Sequence, residues 1–145
     1  MGGHEYFTLQ ELVASNKAKE LGIDNTPSFE DVERLDILVE VFLDPLRKAW
    51  GKPIIVTSGY RCPKLNKAVG GSDTSVHKIG FAADLQTAGS FDDFRDFVVS
   101  WVETSNIGFD QILLEKDKKT GEKWIHIGLC SNNGNQRRQI KVMEV

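Results

Sequence analysis

The sequence holds three histidines, His4, His77 and His126. His4 lies beside the N-terminus, where a frayed segment is expected, and is set aside. His77 is followed seven residues later by Asp84, and His126 sits in the run from Trp124 to Gly128, whose side chains alternate in face. Two imidazoles and a carboxylate suit zinc in a catalytic site, where three protein ligands leave the fourth position for water. Neutral imidazoles with one carboxylate also leave net positive charge at the ion, which favours ionisation of that water. On a flat strand the odd separation of positions 77 and 84 would send the two side chains to opposite faces, so the chain must turn between them, and Gly80 permits the turn.

The elements that must carry these residues follow from local patterning. Thr8 and Glu11 form a capping-box pattern that opens a helix bearing Leu12 and Val13 and stopping near Gly22. Ser28 caps a second helix with apolar positions Val32, Leu35, Val39, Phe42, Leu43 and Leu46, kinked at Pro45 and ended by Gly51 and Pro53. The period then changes. Ile54 to Thr57 is a β-branched run that predicts a buried strand, and a glycine-rich connection through Gly70 and Gly71 leads to another strand over 81–85. Ser90 caps a third helix with Phe94, Phe97, Val98, Trp101 and Val102 toward the core. Residues 109–115 and 123–129 predict a hairpin around a polar turn at 117–121, and a last strand falls over 139–145. Helices early, a hairpin late and one helix between strands predict an α+β fold with an antiparallel sheet.

No repeat or linker-like stretch divides the 145 residues, so a single domain over 1–145 is expected. A chain of this length buries enough surface to fold without metal or disulfides, so a metal here is expected to serve chemistry. Eighteen Lys and Arg against 21 Asp and Glu, a formal charge of -3, argue against a dedicated nucleic-acid binder. The apolar runs are too short for a membrane span, and the first residues lack the segments of a signal peptide. Either the protein stays within the producing cell or an export signal has been removed. Cys62 and Cys130 are too few for a disulfide scaffold. A monomer is expected.

Ser75, His77, Gly80, Ala82 and Asp84 stand in SxHxxGxAxD spacing, preceded by Ser58, Gly59, Tyr60 and Arg61 as SGYR, by Leu65 and Asn66 with Gly70 and Gly71 as an LN…GG connection, and followed by Trp124 and His126 as WxH. This succession, over residues 54–129, resembles the zinc D-Ala-D-Ala peptidases of peptidoglycan, a group that includes carboxypeptidases, dipeptidases and phage endolysin peptidases, with the Hedgehog signalling domain as a distant relative. The segment from Phe7 to Arg47 resembles the small single-domain branch found in bacterial and prophage genomes.

The resemblance implies a Hedgehog/DD-peptidase-like fold and zinc held by His77, Asp84 and His126, with a glutamate as general base. Many members place that acid three residues before the second histidine, where this chain has Lys123. Glu115 and Glu122 compete for the role. Glu122 shares a face with His126, but four residues along a strand is roughly 13 Å, too far for both to meet one water. If Glu115 faces Trp124 across the hairpin, Glu115 and His126 become diagonal neighbours roughly 7–8 Å apart, which favours Glu115; a register shift would reverse the choice. The resemblance also implies Arg61 as the group that stabilises an oxyanion. Ser75 either binds substrate or orients the loop before His77. Tyr60 and Trp124 are expected to wall the cleft, and Asp110 and Gln111 to serve as structural or orienting partners. A Cys62 nucleophile is rejected, since no acid or base stands in a defined relation to it.

The function implied is a zinc metallopeptidase acting on peptidoglycan stem peptides, foremost a D-Ala-D-Ala carboxypeptidase. An endopeptidase and a non-catalytic, zinc-containing wall-binding module are the alternatives. A closed cleft end with a carboxylate anchor would mark the first, and an open groove the second.

Overall fold

The computed structural model describes residues 4–145. Its N-terminal part is helical. Where one helix is expected up to Gly22 there are two, α1 (Leu9–Val13) and α2 (Asn16–Leu21), because Ser15 breaks the run and caps the second through the Ala18 amide. The Thr8–Glu11 capping box is present, and Gly22 ends α2 in the left-handed region. Ser28 caps α3 (Phe29–Leu38) in a reciprocal box with Asp31. The kink expected at Pro45 takes a different form: a π-turn, Val39–Leu43, joins α3 to α4 (Asp44–Trp50), and the Asp44 amide reaches back to the Val39 carbonyl. A proline cannot donate and crowds the carbonyl four residues before it, so widening the preceding turn keeps the helix continuous. His4 is not frayed. Its side chain is 11% exposed, bonded to Asp36 through Nε2 and 3.5 Å from Asp44 through Nδ1.

Five strands follow, β1 (Ile54–Ser58), β2 (Ala82–Thr87), β3 (Gln111–Lys116), β4 (Lys123–Gly128) and β5 (Gln139–Glu144), in the order β1-β2-β4-β3-β5. All neighbours are antiparallel except β5, which lies parallel to β3. The sheet is thus mostly antiparallel, as expected, and its last strand is parallel because the chain after β4 crosses over before adding it. β1 is an edge strand and only partly buried, with Ile54 inside and Ile55 exposed. Between β1 and β2 lie two short elements that patterning did not disclose: α5 (Pro63–Ala68), capped by the Cys62 sulfur, and a 3-10 turn at Val76–Ile79. α6 (Phe91–Ser105) follows β2 as expected, capped by Ser90.

Strand alternation sorts the sheet into two faces. Ala83 and Leu85 of β2, Ile112 of β3, and Ile125 and Ile127 of β4 join Leu35, Phe42, Leu46, Phe94, Val98 and Val102 in the core. The intervening residues, Asp84, Leu113, Glu115, Trp124 and His126, line a cleft on the opposite face. One face of the sheet is therefore fastened to the helices, which leaves the other free to hold a site. Among the described residues no helix is long and apolar enough to cross a membrane.

Gly80 makes the turn that brings His77 over β2. Its φ is +86°, and a Cβ there would fall 2.6 Å from the Asp31 carbonyl oxygen and 3.1 Å from the Leu35 side chain. Gly70 has φ +76° but open space around it. Replacement of Gly70 by Ala is expected to cost about 1–2 kcal/mol of strain, and Gly80→Ala about 1–3 kcal/mol more for overpacking. Urea unfolding of the two variants checks the order.

Candidate active site

His77 is delivered by the 3-10 turn rather than by a strand. Its ring is 1% exposed, and its Nδ1 lies 2.6 Å from the Gly59 carbonyl oxygen. A carbonyl only accepts, so the proton sits on Nδ1 and Nε2 presents a lone pair. That Nε2 lies 3.2 Å from Asp84 Oδ1 and 3.2 Å from His126 Nδ1, and His126 Nδ1 is 3.0 Å from the same carboxylate oxygen. Asp84 and His126 are Cα partners across β2 and β4. The three ligand atoms all lie within 4.8 Å of one another. Lone-pair donors turned toward one point, with one imidazole tautomer fixed by a backbone carbonyl, are the arrangement a zinc ion takes.

The electrostatics agree with that donor set. Burial pushes the His77 pKa down, so the ring is neutral and able to ligate. Burial alone would raise the Asp84 pKa, but the His77 and His126 side chains beside it outweigh that and hold its carboxyl well below the usual range. The Arg61 guanidinium stands 3.8 Å from Asp84 Oδ2 and is 14% exposed. Burial works against its charge, and the carboxylates of Asp84 and Glu115 offset part of that cost.

Glu115 pairs with Trp124 in the register expected, and Leu113 with His126. The Trp124 indole donates to Glu115 Oε2 at 2.5 Å. Burial first, and then the charge of Asp84, raise the Glu115 pKa above the ordinary carboxylate value. Glu122 lies at the hairpin end, accepts a bond from Gln86 and lines neither part of the cleft. Lys123 faces the helices, 3.4 Å from Asp92 of α6, so its charge is turned away from the cluster.

The remaining expectations divide. Ser75 lines the cleft, and its hydroxyl also accepts from the His77 amide at 3.2 Å, which orients the turn. Trp124 is a wall of the cleft. Tyr60 is not: its ring is 5% exposed in the core and its hydroxyl pairs with Asp31, with burial and that carboxylate pushing its pKa up to about 12. The SGYR segment turns its tyrosine inward and its arginine outward. Asp110 is buried and bound by the Arg137 amide and guanidinium, while Gln111 pairs with Gln139, both structural links to β5. Cys62 and Cys130 are free thiols.

The cleft has two lobes. One, of about 610 Å³, runs past Ser15, Lys17, Thr57 and Ser58; the other, of about 1000 Å³, runs past Ser75, Leu113, Glu115 and the 131–135 loop. They meet at Arg61, Val69, Asp84 and Trp124. Two residues near this junction escaped the sequence reading as site residues, Asn66 and Gly71, although the LN…GG pattern contained both.

Among curated proteins none matches the chain. A histidine-aspartate-histidine set with His77 buried and the other two half-buried, flanked by a glutamate and an arginine in a cleft, is the equipment of a metallopeptidase. In keeping with it, residues 5–127 match the Peptidase M15 family, and the protein belongs to that family of metallopeptidases.

Proposed function

We propose that this protein is a zinc-dependent peptidase that hydrolyses the stem peptides of peptidoglycan. The observation that carries the reading is the convergence of His77, Asp84 and His126 within 4.8 Å in the floor of an open groove, with Glu115 and Arg61 beside them. His77, Asp84 and His126 would hold the ion, which when bound supplies a Lewis acid and lowers the pKa of its water toward ~7.

The protein's own groups do the rest. Glu115 takes the proton of the attacking water and passes it to the leaving amine. Its raised pKa suits both halves of that task, because a base that is too weak would not accept the proton and an acid that is too weak would not release it. The Trp124 indole fixes one carboxylate oxygen and leaves the other for the proton. Arg61 donates to the oxyanion that develops as the carbonyl becomes tetrahedral. Because its charge is already in position and largely desolvated, little reorganisation is needed at that moment.

A lobe on either side of Arg61, Asp84 and Trp124 favours cleavage within a peptide, an endopeptidase reaction, since substrate would then extend in both directions from the reacting carbonyl. The D-Ala-D-Ala carboxypeptidase reading, which comes from the resemblance, needs an anchor for a terminal carboxylate, and Lys17 is a cation of the smaller lobe. Its ammonium is 3.7 Å from Glu20 and half exposed, which weakens it as an anchor. A non-catalytic wall-binding role loses its main support once Lys123 is turned toward α6.

Replacing Glu115 with Gln is expected to leave zinc content unchanged and to lower kcat about 10²- to 10⁴-fold, whereas Glu122→Gln retains activity. Metal analysis with stopped-time hydrolysis assays reads both, and full activity in the Glu115 variant defeats the assignment. Chelation is expected to abolish turnover of purified muropeptides, and added zinc to restore it. Mass spectrometry of the products separates loss of one D-Ala from a cut inside the stem; wall binding without any turnover in zinc-loaded protein would overturn the enzymatic reading.

A further inference from the structure

Asn66 is 2% exposed, on a helix of six residues, and its side chain does two things. Its Nδ2 donates to the Ser72 carbonyl at 2.9 Å, and its Oδ1 accepts from Arg61 Nη1 at 3.2 Å. The amide orientation is fixed by chemistry. A guanidinium only donates and a carbonyl only accepts, so a flipped Asn66 would lose both bonds. The main chain tightens the same loop, for the Gly71 amide donates to the Asn66 carbonyl at 2.8 Å.

Gly70 and Gly71 serve this arrangement for different reasons. Gly70 needs its left-handed φ of +76°. Gly71 needs space: a Cβ there would lie 2.1 Å from Asn66 Oδ1 and 2.8 Å from Arg61 Nη1. The loop therefore closes over the contact between the amide and the guanidinium, and only a residue without a side chain lets it close that far. Arg61 Nε is buried with no partner among the described residues, and Nη2 reaches only to 3.8 Å from Asp84. Of the guanidinium's groups, Nη1 is the one held by a direct hydrogen bond.

We infer that Asn66, seated by Gly71, is a positioning residue that holds the Arg61 guanidinium toward the cleft for oxyanion stabilisation. The inference rests on the proposed peptidase reading for its catalytic consequence, but the restraint itself is a property of the side chains. Oxyanion stabilisation depends on the direction of a donor as much as on its charge, because a group that must reorient during the reaction loses much of its advantage. Without Asn66 the charge would remain near Asp84 while the direction of its N–H groups would not.

The test uses the zinc-loaded full chain. Asn66→Ala is expected to retain zinc and to lower kcat about 10- to 100-fold with KM little changed, the range of a misplaced catalytic group. Asn66→Asp, which still offers Arg61 an acceptor, is expected to recover part of that loss. In an Arg61→Ala background Asn66→Ala should add nothing further, since both act through one guanidinium. NMR of the arginine side chains supplies a readout independent of turnover: slow rotation about the Arg61 Cζ–Nε bond in wild type, fast rotation in Asn66→Ala. An equal loss of kcat in both backgrounds, or unchanged Arg61 rotation, overturns the inference. Wild-type protein without turnover defeats the peptidase reading alone and leaves the NMR comparison to judge Asn66. If Asn66→Ala fails to fold, Gly71→Ala applies the same comparison from the loop side.

Discussion

The bond from His77 Nδ1 to the Gly59 carbonyl is the contact on which the site depends. It selects the imidazole tautomer and fixes the ring in a pocket closed to solvent. Gly59 can offer its carbonyl there because it packs directly against α1, where a Cβ would fall 2.1 Å from the Leu12 carbonyl oxygen. That oxygen in turn accepts the Tyr60 amide at 2.8 Å, and the Arg61 amide donates to the His77 carbonyl at 3.1 Å. Three consecutive residues thus join the N-terminal helices, the histidine turn and the arginine. The ring of Tyr60 and its bond to Asp31 anchor the segment in the core, while Arg61 beside it turns into the cleft.

The strand that leads into this segment is irregular at the point where it matters. Val56 pairs with Leu85 and Ser58 with Asp84, so Thr57 is an extra residue on β1 opposite a metal-ligand candidate. Such a bulge bends the strand and increases its twist, which carries Gly59 to Arg61 across the end of β2. The Thr57 hydroxyl closes the irregularity by donating to the Asp84 carbonyl at 3.3 Å. On the other side, Arg34 bonds both Asp31 and the carbonyl of Ile79, and so ties α3 to the end of the histidine turn. The candidate ligands come from β2, β4 and a turn, yet each is held by backbone that other elements immobilise.

Much of this was legible in the residues themselves. Caps at Thr8, Ser28 and Ser90, the glycine stops and the alternation in β4 depend on local chemistry, and the structure follows them closely. The hairpin was legible too, but its register stood only as a condition there, and the structure supplies the Glu115–Trp124 pairing. What escaped was short or non-local. A six-residue helix capped by a cysteine sulfur has neither the length to show a period nor a usual cap. The parallel seating of β5 depends on a crossover, drawn in by the Asp110–Arg137 pair 27 residues apart in sequence, which no window of neighbouring residues displays. Tyr60 was misplaced for the same reason, since its partner Asp31 is remote in the chain. His4, set aside on position alone, is held by Asp36 and Asp44 from α3 and α4.

The charges of the cleft form a set whose members justify one another. Arg61, Asp84 and Glu115 are each partly withdrawn from water, and any one alone would be costly to bury. Asp84 stays an anion, and its charge raises Glu115 and supports Arg61 as a cation. Such an arrangement adds little to folding stability, because desolvation consumes most of what attraction returns. It does give Glu115 and Arg61 opposite chemical tendencies a short distance from the same ligand cluster, one ready to take a proton and the other unable to lose one. The core on the far side of the sheet provides the stability. That division explains how a small chain can hold a cluster of buried charge on one face, since the helices clamp the same strands from behind.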